Sequence, residues 1–170
     1  MPFPGLLNRT MSSALNRPEI PSLGIVANLA EQDRALLGNY GEFLPVHAEQ
    51  TLITEGHAQD SLFFVISGVL HVHTEVNGRT VLLTRVVAGE SLGEVNIFDP
   101  ANASASVTAK EFSQVWRAAR ADLDAFVTAY PEAGAILLCG IIQVMSRRIR
   151  HMNEKLADRE SMTNAASNWH

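Results

Sequence analysis

The fold is decided by residues 69–87, VLHVHTEVNGRTVLLTRVV, in which two apolar runs flank the dipeptide Asn77-Gly78. Asparagine and glycine both tolerate the positive φ of a type I′ turn, so this stretch predicts a β-hairpin. Similar short runs lie on either side of it and end near glycine or polar turns, at residues 51–54, 62–66, 103–109 and 113–118. Strands of this length and spacing predict an antiparallel sandwich or barrel.

The composition indicates a globular domain and excludes several classes of protein. Of the 170 residues 46% are hydrophobic and 18% are charged, and the net charge of −5 disfavours binding driven by nucleic-acid phosphates. The single cysteine, Cys139, permits no internal disulfide or cysteine-ligated cluster, and its apolar helical surroundings predict a core position. No apolar run reaches the roughly 18 residues of a membrane span, and no signal-peptide pattern precedes the domain. The cytoplasm is therefore the expected location.

Changes of pattern along the chain suggest four segments. Residues 1–22 contain four prolines and no sustained period, which predicts a loose or draped N-terminal extension. Residues 23–130 form the β-rich domain, with one or two short helices before residue 40 and another after Arg120. Residues 131–158 contain a helix expected to run from Glu132 to about Ala157, and residues 159–170 are expected to form a frayed polar tail.

The long helix has an apolar seam. Its members step by 4, 3, 4, 3 and 4 residues and are Leu138, Ile142, Met145, Ile149, Met152 and Leu156. This spacing is typical of a coiled coil, and a helix of this length would overhang so small a domain. We expect self-pairing into a parallel homodimer, with packing of the seam onto the chain's own sheet as the alternative.

A glycine turn near the middle of the chain predicts an anion site. Residues 89–98, GESLGEVNIF, combine a tight turn with the start of a short helical piece, and residues 103–107 return to a strand. Successive backbone N–H groups in such a turn form a concavity that suits an anion. Glu94 lies in the middle of this turn.

These segments resemble the cyclic-nucleotide-binding domain family, specifically the effector half of catabolite-activator-type (Crp/Fnr-like) regulators. The similar stretches are residues 60–68 (DSLFFVISG), 87–94 (VAGESLGE), 145–149 (MSRRI) and 153–156 (NEKL). The resemblance implies a mainly β fold with flanking helices. It would be an eight-stranded antiparallel β-roll, a jelly-roll-like double-stranded β-helix, followed by a long C-terminal dimerisation helix.

The resemblance also implies a ligand site. It would consist of Val72 and Leu83 at the base, Gly93, Glu94 and Val95 in the phosphate-binding cassette, Ala103 and Ser104 at the cyclic phosphate, Arg148 beside Glu94, and Met152 and Asn153 where the long helix of one or the other subunit meets the base. Glu94 would accept a hydrogen bond from the ribose 2′-hydroxyl group. No cofactor is implied beyond this possible small-molecule effector.

One departure from the family concerns the phosphate. The arginine that binds the phosphate in the family corresponds to Ala103 in this sequence, and residues 99–102 contain no basic side chain. Loss of a charge-assisted hydrogen-bond pair costs on the order of 1.5–3 kcal/mol, and an unpaired buried charge costs more. We therefore expect the affinity for cyclic AMP or cyclic GMP to be about ten- to a thousandfold weaker than in an ordinary member. Arg85 or Lys110 is a possible substitute for the arginine.

A second departure concerns the output. Activator-type regulators continue from the long helix into a DNA-reading helix-turn-helix, whereas only a dozen polar residues follow here. The expected partners are therefore a second copy of the chain and possibly a regulatory protein, without direct DNA or membrane binding. A ligand-free interaction module with a vestigial pocket is an alternative.

Two enzymatic or metal-binding alternatives also have a sequence basis. Gly89-Glu90-Ser91-Leu92-Gly93 matches the G-x-S-x-G string of a serine hydrolase, but Asp99-Pro100 interrupts the long helix that this motif requires. His71, His73 and Glu75 alternate along one strand and so share a face. We interpret them as a solvated strand face, with a metal or haem site as the alternative.

Overall fold

The computed structural model describes the backbone of residues 18–167 and the side chains of residues 18–159. The expectations for residues 1–17 and 168–170 therefore lie outside the described residues. A 3₁₀ helix (Gly24–Val26) and α1 (Glu31–Gly38) come first, in agreement with the prediction of one or two short helices. The strands and short helices that follow are β1 (Glu42–Val46), β2 (Thr51–Ile53), β3 (Ala58–Gln59), β4 (Ser61–Ser67), β5 (Val69–Val76), β6 (Arg79–Val87), β7 (Ser91–Leu92), α2 (Glu94–Phe98), β8 (Ala101–Asn102), β9 (Ser106–Ala109), β10 (Ser113–Ala119), α3 (Arg120–Ala129) and α4 (Pro131–Ser167).

The described strands form two antiparallel four-stranded sheets that face each other. Their strand orders are β1-β10-β4-β7 and β2-β9-β5-β6, and β3 pairs separately with β8. This arrangement confirms the mainly β, jelly-roll-like fold with flanking helices and a long C-terminal helix. The strand predicted over residues 103–109 begins only at Ser106, because Ala103 belongs to the loop that pairs with His57.

Strand β4 is buried on both faces and separates two apolar clusters. Phe63 and Val65 face the other sheet and pack with Leu70, Val86, Val107 and Val115. Leu62 and Phe64 belong to the cluster formed with Trp116, the N-terminal helices, α3 and α4. The near-continuous apolar sequence of this strand follows from its double burial.

The hairpin formed by β5 and β6 confirms the prediction from Asn77-Gly78. Both turn residues have positive φ, 52° and 73°, and Val76 pairs with Arg79. The register shifts opposite Val72 and His73, so that Leu83 is an extra residue in β6. Strand β6 is an edge of its sheet and most of its residues are exposed.

Helix α4 is longer than the sequence analysis expected. It begins at Pro131 and runs to Ser167, so the prediction of a frayed tail from residue 159 is wrong for residues 159–167. From residue 141 to residue 167 the sequence has neither glycine nor proline, and no residue there breaks the backbone hydrogen bonds. None of the helices in the described part of the chain is both long and apolar enough to cross a membrane.

Helix α4 has one apolar face against the domain and a second that is open. Ala133, Leu137 and Ile141 are buried in the helical cluster. Glycine is required at position 140, because a Cβ there would overlap the carbonyl oxygen of Ile25 in the 3₁₀ helix. Cys139 lies off this buried face and is exposed, so the prediction of a core cysteine is wrong.

Most of the apolar seam does not pack onto the chain's own domain, although Met145 packs against the helical cluster. Ile142, Ile149, Met152 and Leu156 are 56–62% exposed. Leu138 and Met145, the other two members, are half-buried. The helix therefore packs the face at Ala133, Leu137 and Ile141 against its own domain and leaves four of the six seam residues exposed.

Candidate functional site

The cassette begins with a glycine that the geometry requires. Gly93 has φ 82° and precedes the first residue of α2, and its carbonyl oxygen accepts from the Ile97 N–H at 3.1 Å. A Cβ at this position would overlap the carbonyl oxygen of Ser61 in β4. Glycine is thus needed both for the left-handed conformation and for the close approach to the sheet.

Glu94 is buried at the start of α2 and is held by three hydrogen bonds. It is 3% exposed. Nη1 of Arg148 donates to its Oε1 and Oε2 at 2.9 and 3.0 Å, and the Ser91 hydroxyl donates to Oε1. Nη2 of Arg148 donates to the Ser91 carbonyl oxygen at 2.6 Å. The expected contact between Arg148 and Glu94 is present, and it links α4 directly to the cassette.

The backbone on both sides of Ala103 is fixed. Its N–H donates to the carbonyl oxygen of His57 and its own carbonyl accepts from Gly56 N–H, both at 2.8 Å. The residue is 7% exposed. Asn96 closes the preceding loop by donating from its side-chain amide to the Ala101 carbonyl oxygen at 2.8 Å. A methyl group therefore occupies the position to which the resemblance assigns the phosphate-clamping arginine.

The segment that pairs with Ala103 carries a carboxylate that the sequence analysis missed. The single hydroxyl of Thr74 donates a bifurcated hydrogen bond to Glu55, with Oγ1 2.8 and 2.9 Å from the two carboxylate oxygens, and the Glu75 N–H donates a second bond at 3.3 Å. Its own N–H donates to the Ser106 hydroxyl at 3.0 Å. In the sequence Glu55 has only the signature of a turn residue before Gly56. The contacts with Thr74 and Ser106 come from strands distant in sequence, so no local pattern indicates them.

The remaining positions of the expected site are more open. Val72 is half-buried in the cluster between the sheets, whereas Leu83, Val95 and Met152 are 53–62% exposed. Ser104 and Asn153 are also exposed. The structure thus brings Gly93, Glu94 and Arg148 together. The other residues predicted for the site make no contact that would indicate which ligand binds.

Neither proposed substitute for the arginine is seated at the cassette. Lys110 lies 3.6 Å from a carboxylate oxygen of Glu49, in an exposed ion pair. That pair is at the opposite end of β9 from Ala103. Arg85 is exposed on the edge strand β6, where its Cα partner is His71.

The geometry does not support the two alternative chemistries. Ser91 is fully buried, its hydroxyl donates to Glu94, and α2 is only five residues long, unlike the long helix of a nucleophile elbow. His71 and His73 are half-buried rather than solvated, and His73 Nε2 lies 3.0 Å from the Thr108 hydroxyl. Within the described residues no group of three histidine, cysteine or acidic side chains could hold a metal ion.

The structure thus combines a jelly-roll-like β domain with a left-handed glycine, a short helix and a buried glutamate. The sequence profile of the cyclic nucleotide-binding domain family matches residues 43–130, just over half of the chain. The chain belongs to this family, whose members are regulatory.

Individual proteins agree with this assignment. The CRP-like cAMP-activated global transcriptional regulator of Mycobacterium tuberculosis is 35% identical over 112 residues, which are 64% of this chain and 47% of that protein. The chain thus spans about half the length of the curated relatives it matches. The N-terminal domain of a transcriptional regulator from Streptomyces coelicolor is 27% identical, with a TM-score of 0.65 over 78% of this chain and 90% of that one. The Thermus thermophilus catabolite activator protein shares the fold, with 22% identity and a TM-score of 0.71 over 80% and 62% of the two chains.

Proposed function

We propose that this chain is a non-enzymatic sensory module that binds a small, anionic, nucleotide-like effector at the cassette of Gly93, Glu94 and Val95. The family assignment supports a cyclic nucleotide as the starting point, and the relative from Mycobacterium tuberculosis is described as cAMP-activated. The observation that carries the proposal is the bridge between Arg148 and Glu94. A ligand hydroxyl that binds Glu94 would compete with Arg148 for the carboxylate, so ligand binding would change the contact between α4 and the cassette.

Binding of cyclic AMP or cyclic GMP is proposed to be weak. No basic side chain occurs in the sequence from residue 99 to residue 105, and the adjoining segment carries the carboxylate of Glu55. Backbone N–H groups would then have to hold a phosphodiester without a guanidinium. We place the loss at about ten- to a thousandfold in affinity, about 1.4 kcal/mol for each factor of ten.

The module is proposed to act as a homodimer in the cytoplasm. Ile142, Ile149, Met152 and Leu156 form an open apolar stripe at coiled-coil spacing, and a second α4 in parallel would cover it. Such a dimer would bring Met152 and Asn153 to the mouth of the pocket. A single cysteine, which can form no internal disulfide, is in keeping with a reducing compartment.

The proposal is tested by restoring the arginine. Ala103→Arg should tighten cyclic AMP binding by about 10- to 150-fold in calorimetry at high protein concentration, the range expected for one charged hydrogen-bond pair. Ala103→Met controls for side-chain size, and Ala101→Arg adds the same charge two residues away on an exposed position. Neither control should tighten binding by more than about twofold. Submicromolar binding of cyclic AMP by the unmodified chain would contradict the inference from the missing arginine.

A second candidate function is favoured by the same contacts. The carboxylate of Glu94 already has hydrogen bonds from Arg148 and Ser91, so the buried charge needs no ligand. The chain would then be a ligand-free interaction module with a vestigial pocket. No calorimetric response to cyclic AMP or cyclic GMP, in either the unmodified chain or Ala103→Arg, would favour this reading. A single dominant partner in a pull-down would identify the interaction.

A further inference from the structure

Strand β6 is an open edge of its sheet in the part of the chain that the structure describes. It is nine residues long and pairs with β5 on one side only. All of its residues except Val86 are exposed, and the apolar side chains of Val81, Leu82 and Leu83 are 41–53% exposed. None of the hydrogen bonds of Glu94 involves this strand, so the edge is separate from those contacts of the cassette.

The antiparallel register shows which backbone groups of β6 face away from β5. In such a ladder, residue pairs that exchange backbone hydrogen bonds alternate with pairs that do not, and the groups of the second kind point outward. Val87, opposite Val69, is of the second kind, because its N–H donates to the Glu90 carboxylate and its carbonyl oxygen accepts from the Glu90 N–H. Alternation along the register then gives the other outward residues, which are Thr80, Leu82 and Arg85.

The outward backbone groups of Thr80, Leu82 and Arg85 are almost unused within the chain. Among the described residues, their one hydrogen bond is a long one, 3.3 Å, from the Thr84 hydroxyl to the Arg85 carbonyl oxygen. A row of free N–H and C=O groups on a sheet edge can pair with an extended segment of another chain. The edge of β6 therefore has the backbone groups that strand addition requires.

The charge of this edge favours an acidic occupant. Arg79 and Arg85 are exposed and make no ion pair within the described residues, and β6 contains no acidic residue although the chain has a net charge of −5. The carboxylates of Glu75 and Glu90 already accept hydrogen bonds from β6, at 2.5 and 2.8 Å. A second copy of β6 would bring four guanidinium groups into one sheet, so the charge disfavours self-pairing.

We propose that the open edge of β6 binds an extended, acidic segment of a partner protein by strand addition. Arg79 and Arg85 lie on opposite faces of the sheet, because their partners in β5, Val76 and His71, are five residues apart. The segment therefore has acidic side chains towards both of its ends, on both faces, and a centre that pairs with the outward groups. This interaction does not depend on a ligand in the cassette.

The first test uses a fluorescein-labelled heptapeptide with a valine-threonine-valine centre and two glutamates at each end. One matched peptide has lysines in place of the glutamates, and another has N-methyl groups on the three central amides, which removes their backbone donors. Fluorescence anisotropy with the full chain measures the affinities. The acidic peptide should bind at least about tenfold more tightly than either match, since each match loses several favourable contacts.

Two pairs of variants then locate the site on β6. Arg85→Glu should weaken binding of the acidic peptide by at least about threefold, whereas Arg147→Glu, an equal charge change on an exposed residue of α4, should not. Thr80→Pro removes an outward N–H that the pairing with β5 does not use, and it should weaken binding by about three- to tenfold. Thr80→Val keeps that N–H and should not.

Several results would overturn the proposal. They are no binding of the acidic peptide at millimolar concentration, equal affinity for the acidic and lysine peptides, and no loss on N-methylation. Equal effects of Arg85→Glu and Arg147→Glu would overturn it as well. A lower mass of Thr80→Pro than of Thr80→Val in light scattering would assign the edge to a second copy of the chain, against the proposal.

Discussion

Replacement of Arg148 by methionine should destabilise the protein far more than its surface position suggests. Glu94 is 3% exposed, and Arg148 supplies two of its three hydrogen bonds. Without the guanidinium, a buried carboxylate keeps only the Ser91 hydroxyl. Removal of one member of a buried ion pair typically costs 3–5 kcal/mol. The Arg148 side chain is 41% exposed, so water replaces part of its contribution, and we expect a loss of about 2–3 kcal/mol.

A double-mutant cycle separates this pair from ordinary packing. Glu94→Gln retains an acceptor for Ser91 and leaves Arg148 free to be hydrated, so it should cost only about 1 kcal/mol. The double variant Glu94→Gln/Arg148→Met removes both charges and should cost about 1–2 kcal/mol. That is less than the sum of the single changes, and the difference, about 2 kcal/mol, is the coupling between the two side chains.

The assay is urea unfolding at one fixed protein concentration, because association would add a concentration-dependent term to the stability. Arg147→Met is the matched control, since Arg147 is the exposed neighbour of Arg148. It should change the free energy of unfolding by no more than about 0.5 kcal/mol. A loss for Arg148→Met equal to that of Arg147→Met would refute the reasoning. Additive effects of Glu94→Gln and Arg148→Met would refute it as well.

Three further changes test other parts of the structure. Gly140→Ala should lower the free energy of unfolding by about 1–3 kcal/mol, because its Cβ meets the Ile25 carbonyl oxygen. A glycine-to-alanine change without such a contact inside a helix would instead raise the free energy of unfolding by about 1 kcal/mol. The sign of the change, measured by urea unfolding, therefore shows whether the contact with Ile25 is present. Ile149→Asp on the open seam should convert the proposed dimer to a monomer in light scattering after size exclusion, whereas Gln143→Asp, on an exposed polar position of α4, should not. An unchanged mass for Ile149→Asp would remove the seam from the interface. A fluorophosphonate probe should leave Ser91 unlabelled because that serine is fully buried. If the probe labels the protein and Ser91→Ala abolishes the labelling, the serine-hydrolase alternative is supported instead.

The sequence predicts those parts of the fold that depend on local patterns. Asn77-Gly78 specifies its turn because the φ values are a property of the two residues themselves. The spacing of glycines and apolar runs likewise locates most of the strands. The contact between Arg148 and Glu94 spans more than 50 residues and was expected only through the resemblance to a family.

Features that depend on tertiary packing were missed. Cys139 lies in an apolar run, but α4 buries the face at Leu137 and Ile141 and leaves Cys139 exposed. Because apolar residues occur on two faces of this helix, the sequence alone does not indicate which face packs against the domain. The role of Glu55 depends on Thr74 and Ser106, which reach it only after the sheets have formed. The polar composition after Ala157 predicts an end of α4 there, but residues 158–167 contain no helix breaker and the helix continues to Ser167.

The backbone of the 3₁₀ helix lies directly against the backbone of the turn at Gly89 and of α4 at Gly140. A Cβ at Gly24 would overlap the carbonyl oxygen of Gly89, in the turn that leads to the cassette, and Gly140 of α4 lies directly on the carbonyl of Ile25. The side chains of Leu23 and Phe64 also pack beside the junction between Gly24 and Gly89. A shift of α4 along its axis would therefore have to break its close contact with Ile25 or move the 3₁₀ helix with it. The three residues of the 3₁₀ helix thus contact both α4 and the turn before Glu94.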